Sequence, residues 1–278
     1  PASPLKAFQS DAMRRKLEQG LNAYRGDRIG WSEFVTEEMA GAAGDLLPLI
    51  SDFDTTVDAM LGVCRQYPDY CYPMLGFHPT SVDADALPKV HRMKELLTEG
   101  HPYIAIGEVG LDLYWDKTYL KEQQQVLEEQ IQWALEWDLP LVLHCREAFP
   151  QLFEVLRPYR DTELKGVFHS FTGTADEAQE LLTFQHFLIG INGVVTFKKS
   201  TLPEALAGVP LSRLVLETDS PYLAPVPFRG KRNETSYVQR VAVKLAELYG
   251  VEIGEVERQT TGNALKLFKI PKKVFKVY

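Results

Sequence analysis

Leu141-Val142-Leu143-His144-Cys145-Arg146-Glu147 is an apolar run that stops on a histidine and then turns charged. Three aliphatic residues in a row suit a strand buried on both faces, as in a parallel sheet covered by helices. A histidine ending such a strand, with Arg146 and Glu147 beside it, is unfavourable near a core unless something binds it. For any single case a hydrogen-bonded core histidine is the commoner explanation, so the surrounding sequence has to decide.

Outward from this stretch the pattern repeats. Strands are expected over Tyr72 to Phe77, Tyr103 to Gly107, Pro140 to His144, Gly166 to His169, Phe187 to Ile191 and Arg213 to Thr218. Amphipathic stretches separate them, over 89–97, 119–137, 149–156, 175–184 and 202–207. Residues 237–249 and 253–268 read as closing helices, with Thr235 or Ser236 as the N-cap of the first. Such alternation predicts an α/β domain built on a parallel sheet. An open doubly wound sheet would show the same alternation, and the polar residues separate the two. His78, Glu108, His144, His169 and Asp219 each fall at or just beyond the carboxyl end of a different expected strand. In a barrel those ends converge on one mouth; in an open sheet they are strung along an edge. The expected fold is therefore a TIM-type (β/α) barrel, one domain over 1–278, distorted at its first strand, with 1–37 as an atypical segment.

The 278 residues are enough for one large core, and 45% hydrophobic with 24% charged residues excludes the disordered and fibrous classes. Cys64, Cys71 and Cys145 form neither a Cys-x-x-Cys pair nor an even-numbered disulfide framework, so a cytoplasmic setting is expected. No apolar run approaches the roughly 20 residues of a membrane helix, so no membrane partner is expected. A net charge of -8 excludes an all-over basic coat for nucleic acid but not a nuclease, because one local basic loop can hold a phosphate backbone. The candidate loop is Phe228-Arg229-Gly230-Lys231-Arg232.

Three further stretches resemble the first. Gly107-Glu108-Val109-Gly110-Leu111-Asp112 places two carboxylates after a buried run, with glycines on both sides of Glu108. Val167-Phe168-His169-Ser170-Phe171-Thr172-Gly173 ends a strand on a histidine again, and Leu216-Glu217-Thr218-Asp219-Ser220-Pro221 ends one on a carboxylate followed by a proline turn. Solvated acids and core histidines have no reason to share matching strand ends, whereas nitrogen and oxygen ligation of a divalent cation requires that convergence.

In this order and at these separations the four motifs resemble those of the TatD family of metal-dependent deoxyribonucleases. Leu75-Gly76-Phe77-His78-Pro79, Arg229 to Glu234, and Thr261-Gly262-Asn263-Ala264 through Phe268 match further signatures of that family, so the resemblance spans about 52–270. It implies an amidohydrolase-like barrel holding one or two divalent ions (Mg, Mn or Zn) and cleaving DNA phosphodiester bonds from an end. By position it implies that Glu108 bridges two ions, that His144 and His169 bind one, and that Asp219 serves the other and takes the proton of the attacking water. His78 would stand beside the substrate phosphate without ligating. Arg229, Lys231 and Arg232 would bind the substrate, with Asp112 and Arg146 completing that set; otherwise the loop is a solvated charge cluster.

The first strand of that family ends in His-x-His, and here no histidine precedes His78. Glu37 to Asp54 resembles the end of a first helix and a second strand, but Pro1 to about Glu37 resembles nothing in the family, and its best strand, Ile29 to Val35, is polar. Either the first segment is divergent, leaving a one-metal or inactive barrel, or the sequence upstream of residue 37 carries a reading-frame error. Two functional alternatives stand beside the nuclease: hydrolysis of a small amide, lactone or phosphoester on the same ligand set, and a barrel without catalysis that binds nucleic acid or a protein.

Overall fold

A computed structural model describes residues 53–68 and 71–271. The segment 1–37, with its Ile29 to Val35 strand, and most of the Glu37 to Asp54 stretch lie outside the described residues. The first described element is helix α1 (Phe53–Gln66). It was not expected, although Val57, Met60, Leu61 and Cys64 carry the helical i, i+3, i+4, i+7 spacing. Then come β1 (Met74–Leu75), α2 (Ala86–Lys94), β2 (Ala105–Asp112), α3 (Leu120–Glu136), β3 (Leu141–Arg146) and α4 (Phe149–Leu156). The chain continues with β4 (Gly166–Phe168), α5 (Ala175–Leu182), β5 (Phe187–Ile191), α6 (Leu202–Ala205), β6 (Leu214–Leu216), α7 (Val238–Tyr249) and α8 (Ile253–Leu267).

Among the described residues all five strand pairings are parallel, and the sheet order is β1-β2-β3-β4-β5-β6. A doubly wound sheet reverses its order at a switch point; a sheet whose spatial neighbours are always sequence neighbours is that of a (β/α) barrel. The barrel expectation is met.

Period-two alternation sorts the strand side chains between two layers. Leu141, Leu143, Phe168, Ile189, Leu214 and Leu216 join the large core shared with the helices. Val142, Val167 and Val215 belong to a separate inner cluster with Ala105. Two residues beyond each inner valine, and so on the same face, stand His144, His169 and Glu217. The helix layer is well filled: the Phe168 ring lies 5.1 Å from Phe187 and 6.3 Å from Phe184, so truncating it to alanine would cost about 3–5 kcal/mol.

Several boundaries differ from expectation, three of them with a visible cause. The β1 ladder shrinks to two residues because Gln130 of α3 takes over the backbone beyond it. Its Oε1 accepts from Phe77 N–H at 2.6 Å and its Nε2 donates to Phe77 O at 3.3 Å. Strand β2 runs on to Asp112, so Glu108 lies within the strand and not at its end; the register against β3 shifts between Ile106 and Val109. That irregularity turns Glu108 inward while Ile106 and Val109 both face the helices. Finally, Tyr237 and not Thr235 or Ser236 is the N-cap of α7, because Thr235–Tyr237 is itself a 3-10 turn.

Candidate metal and hydrolysis site

Glu108 is the hub. Its Oε2 lies 3.0 Å from His78 Nε2 and its Oε1 lies 2.8 Å from His169 Nε2. His169 Nε2 also lies 3.4 Å from Asp219 Oδ1, and the His78 and His144 rings meet edge-on with centroids 4.6 Å apart. Five side chains, carried on or just after five different strands, thus share one mouth.

His169 is nearly enclosed, at 3% side-chain exposure, and both its ring nitrogens face carboxylates. Its Nδ1 lies 2.8 Å from Glu217 Oε2, while Glu217 Oε1 accepts the Ser170 N–H. A buried carboxylate on one nitrogen fixes the ring and directs the other nitrogen to the site, the arrangement proteins use for metal-binding histidines. Burial alone would depress the His169 pKa, but Glu217 and Glu108 outweigh it and hold it well above the usual value. The Glu108 carboxyl is raised by burial and lowered further by His169 and His78, ending well below its usual range.

His78 caps the 3-10 turn Pro79–Ser81. Its Nδ1 accepts the Thr80 N–H at 3.2 Å and lies 2.7 Å from Thr80 Oγ1, which leaves Nε2 as the atom facing Glu108. His144 Nε2 lies 2.9 Å from Asp112 Oδ2, and Asp112 Oδ1 accepts the Tyr114 N–H at 3.0 Å. Asp112, expected among the substrate contacts, is thus engaged with His144. Gln123 of α3 holds the same residue through both backbone groups, at 2.9 and 3.0 Å. Gly110, at φ 142, has no room for a side chain, since a Cβ there would lie 2.0 Å from His144 O.

Arg229, Lys231 and Arg232 are exposed on their loop. Buried Asn233 ties that loop to the Asp219 turn, its Nδ2 donating to Thr218 O at 2.8 Å and its N–H to Pro221 O at 3.0 Å. The Arg229 guanidinium lies 4.3 Å from the Phe197 ring centroid, and that of Arg146 lies 3.6 Å from Tyr114. Cys145, though next to His144 in sequence, points into the helix-side core, where burial pushes its thiol pKa up; it is a packing residue. Cys64 and Cys71 are buried as well.

Sequence reasoning missed the roles of Glu217, Asn233, Gln123 and Gln130. Only Glu217 carried a signal, since it follows Val215 by the same two positions that separate His144 from Val142 and His169 from Val167.

The donors fall into two groups of three, His78 with Glu108 and His144, and Glu108 with His169 and Asp219, each with its ligand atoms within 4.8 Å of one another. Donors sharing one divalent ion at about 2.0–2.2 Å stand at most roughly 4.4 Å apart; the groups come within a few tenths of an ångström of that limit, and nitrogen and oxygen donors suit such a cation. Glu108 belongs to both groups. The resemblance put His144 and His169 on one ion, whereas the geometry sets His169 with Asp219 and His144 with His78.

A parallel barrel with a histidine and carboxylate cluster at its carboxyl mouth is the architecture of metal-dependent hydrolases. The profile of the family described as TatD related DNase matches residues 27–269. The "uncharacterized metal-dependent hydrolase YabD" of Bacillus subtilis is 38% identical over 216 residues, covering 77% of this chain and 84% of YabD. The "3'-5' ssDNA/RNA exonuclease TatD" of Erwinia tasmaniensis is 32% identical over 237 residues, covering 83% and 90%. Among solved structures, YjjV, a TatD homologue from Escherichia coli K12, superposes with TM-score 0.67 at 29% identity over 75% of this chain and 81% of its own. The chain belongs to the TatD related DNase family of metal-dependent hydrolases. No described helix is long and apolar enough to cross a membrane.

Proposed function

We propose that this protein hydrolyses DNA phosphodiester bonds from an end, using one or two divalent cations held by Glu108, His144, His169 and Asp219. The observation that carries this reading is Glu108, shared by two three-donor groups at the mouth of the barrel. When bound, a divalent cation there supplies Lewis acidity toward a phosphoryl oxygen and acidifies water.

The chain's own groups supply the rest. Asp219, partly exposed beside His169, takes the proton of the attacking water. His78 completes a donor group with Glu108 and His144; where one ion alone is held, by Glu108, His169 and Asp219, His78 stands beside the substrate phosphate instead. Glu217 keeps His169 in one orientation, and Asp112 does the same for His144. Arg229, Lys231 and Arg232 hold the phosphate backbone, and their exposure favours a long anionic substrate over a small neutral ester.

Purified protein supplied with Mn, Mg or Zn should shorten single-stranded or duplex DNA, and Glu108→Ala or His144→Ala should abolish that cleavage. Full activity in either variant rejects the site. Neutralising the three basic residues should reduce DNA cleavage far more than hydrolysis of a small ester; equal losses would favour the small-substrate reading. A barrel that binds nucleic acid without cutting it is favoured by one observation, that residues 1–77 contain no histidine. Protein inert on DNA with all three metals would fit that assignment.

A further inference from the structure

Beyond Asp112 the chain turns out into solvent and presents two large aromatic side chains. Trp115 is 73% exposed and Tyr114 47%, the former the most exposed large hydrophobic among the described residues. Solvated rings of this size gain nothing for the fold, and these two are held in place. Their planes stand at 88° with centroids 4.8 Å apart. The Arg146 guanidinium lies 3.6 Å from the Tyr114 centroid and 5.5 Å from that of Trp115, so it occupies the inner angle between them.

The turn is fastened to the candidate site. Asp112 Oδ1 accepts the backbone N–H of Tyr114 at 3.0 Å, while its other oxygen lies 2.9 Å from His144. The Leu113 N–H donates to Arg146 O at 2.9 Å, extending the β2 ladder to the start of the turn. One carboxylate therefore positions both His144 and the aromatic pair. A cation at their inner angle and open ring surface on the outside suit a nucleobase, which offers a π-face for stacking, next to a backbone phosphate that a guanidinium can pair.

We infer that Trp115, supported by Tyr114 and Arg146, is a base-stacking subsite that grips an unpaired nucleotide beside the scissile phosphate. This rests on the nuclease reading above and deepens it by naming the residues that would hold an unstacked terminal base. Stacking is tolerant of base identity, because every base has a π-face.

The test uses the full chain, first freed of metal, titrated with a short oligothymidylate while tryptophan fluorescence is followed. Stacking should quench the indole. Trp115→Ala should lose that quenching and weaken binding roughly 5- to 150-fold, the range alanine substitution gives for a stacked base, while Trp115→Phe should keep affinity within a few-fold. An oligonucleotide with an abasic residue at the gripped position should lose the same factor on the native protein. It should lose nothing further on Trp115→Ala.

Native affinity in Trp115→Ala, an abasic oligonucleotide bound as well as the intact one, or native protein that does not bind the oligonucleotide would overturn the subsite. The two readings separate cleanly. Trp115-dependent binding without metal-dependent cleavage retains the subsite and removes the nuclease. Cleavage with the same KM in Trp115→Ala retains the nuclease and removes the subsite.

Discussion

Glu217 Oε2 lies 2.8 Å from His169 Nδ1, and both side chains are almost sealed from solvent, at 4% and 3% exposure. A charge pair so enclosed stabilises little by itself but is expensive to break from one side. Its use is directional, since the ring cannot rotate while Glu217 holds it.

Replacing Glu217 by Gln keeps the shape and removes the charge. We expect divalent-metal affinity, measured by calorimetry, to fall about 10- to 100-fold, the usual result of losing the carboxylate behind a metal-binding histidine. Unchanged affinity in Glu217→Gln would show that His169 is not a ligand.

Gly190 on β5 makes room for that carboxylate. A Cβ at 190 would lie 2.5 Å from Glu217 Oε2 and 2.7 Å from Cδ, so Gly190→Ala must push the group off His169. The same loss of metal affinity should follow. In a Glu217→Ala background the added methyl meets no carboxylate, so the double variant should be no worse than Glu217→Ala alone. Additive losses would mean that Gly190 acts by another route.

Much of this was legible in the sequence, because a parallel barrel writes its active site at strand ends. Each inner valine, Val142, Val167 and Val215, is followed two positions later by a site residue, so period-two alternation alone marks His144, His169 and Glu217. What stayed hidden depends on contacts between distant segments. Glu108 faces inward only because of an irregularity in the β2–β3 register, which no local pattern announces. Gln123 and Gln130 look like ordinary polar positions on an amphipathic helix, yet both are buried and serve backbone groups of other segments, Asp112 and Phe77. Asn233 lies in a loop whose charges draw attention elsewhere.

Gln130 supplies the third prediction. It satisfies both backbone groups of Phe77, the residue before His78, and has no solvent contact. Gln130→Met keeps volume but leaves that N–H and C=O without their side-chain partner. Stability should fall by about 1–3 kcal/mol, read as a lower urea midpoint at an unchanged m-value. Because His78 is fixed by the same turn, cleavage should weaken in conditions where the variant is still folded. An unaltered midpoint would mean that water replaces the amide.

The last prediction concerns pH, and its sign follows from the two ends of the His169–Glu108 pair. The His169 pKa is raised above its usual 6.5, against the effect of burial, by Glu217 and Glu108. Its stabilising contribution is therefore complete below 6.5 and is lost as pH rises toward the folded value. The Glu108 pKa lies well below its usual 4.5, so its contribution is present above 4.5 and is lost as pH falls further. For protein kept in a chelator these two groups favour the window between about 4.5 and 6.5, and the melting temperature should decline as pH is taken from 6.5 to 9. A divalent cation competes with the proton on His169, so binding should release protons and become tighter over the same interval. Saturating manganese should then flatten or reverse the alkaline decline. Melting curves that fall equally with and without metal would place the cation away from His169, because only an ion that takes the place of that proton can remove its pH dependence.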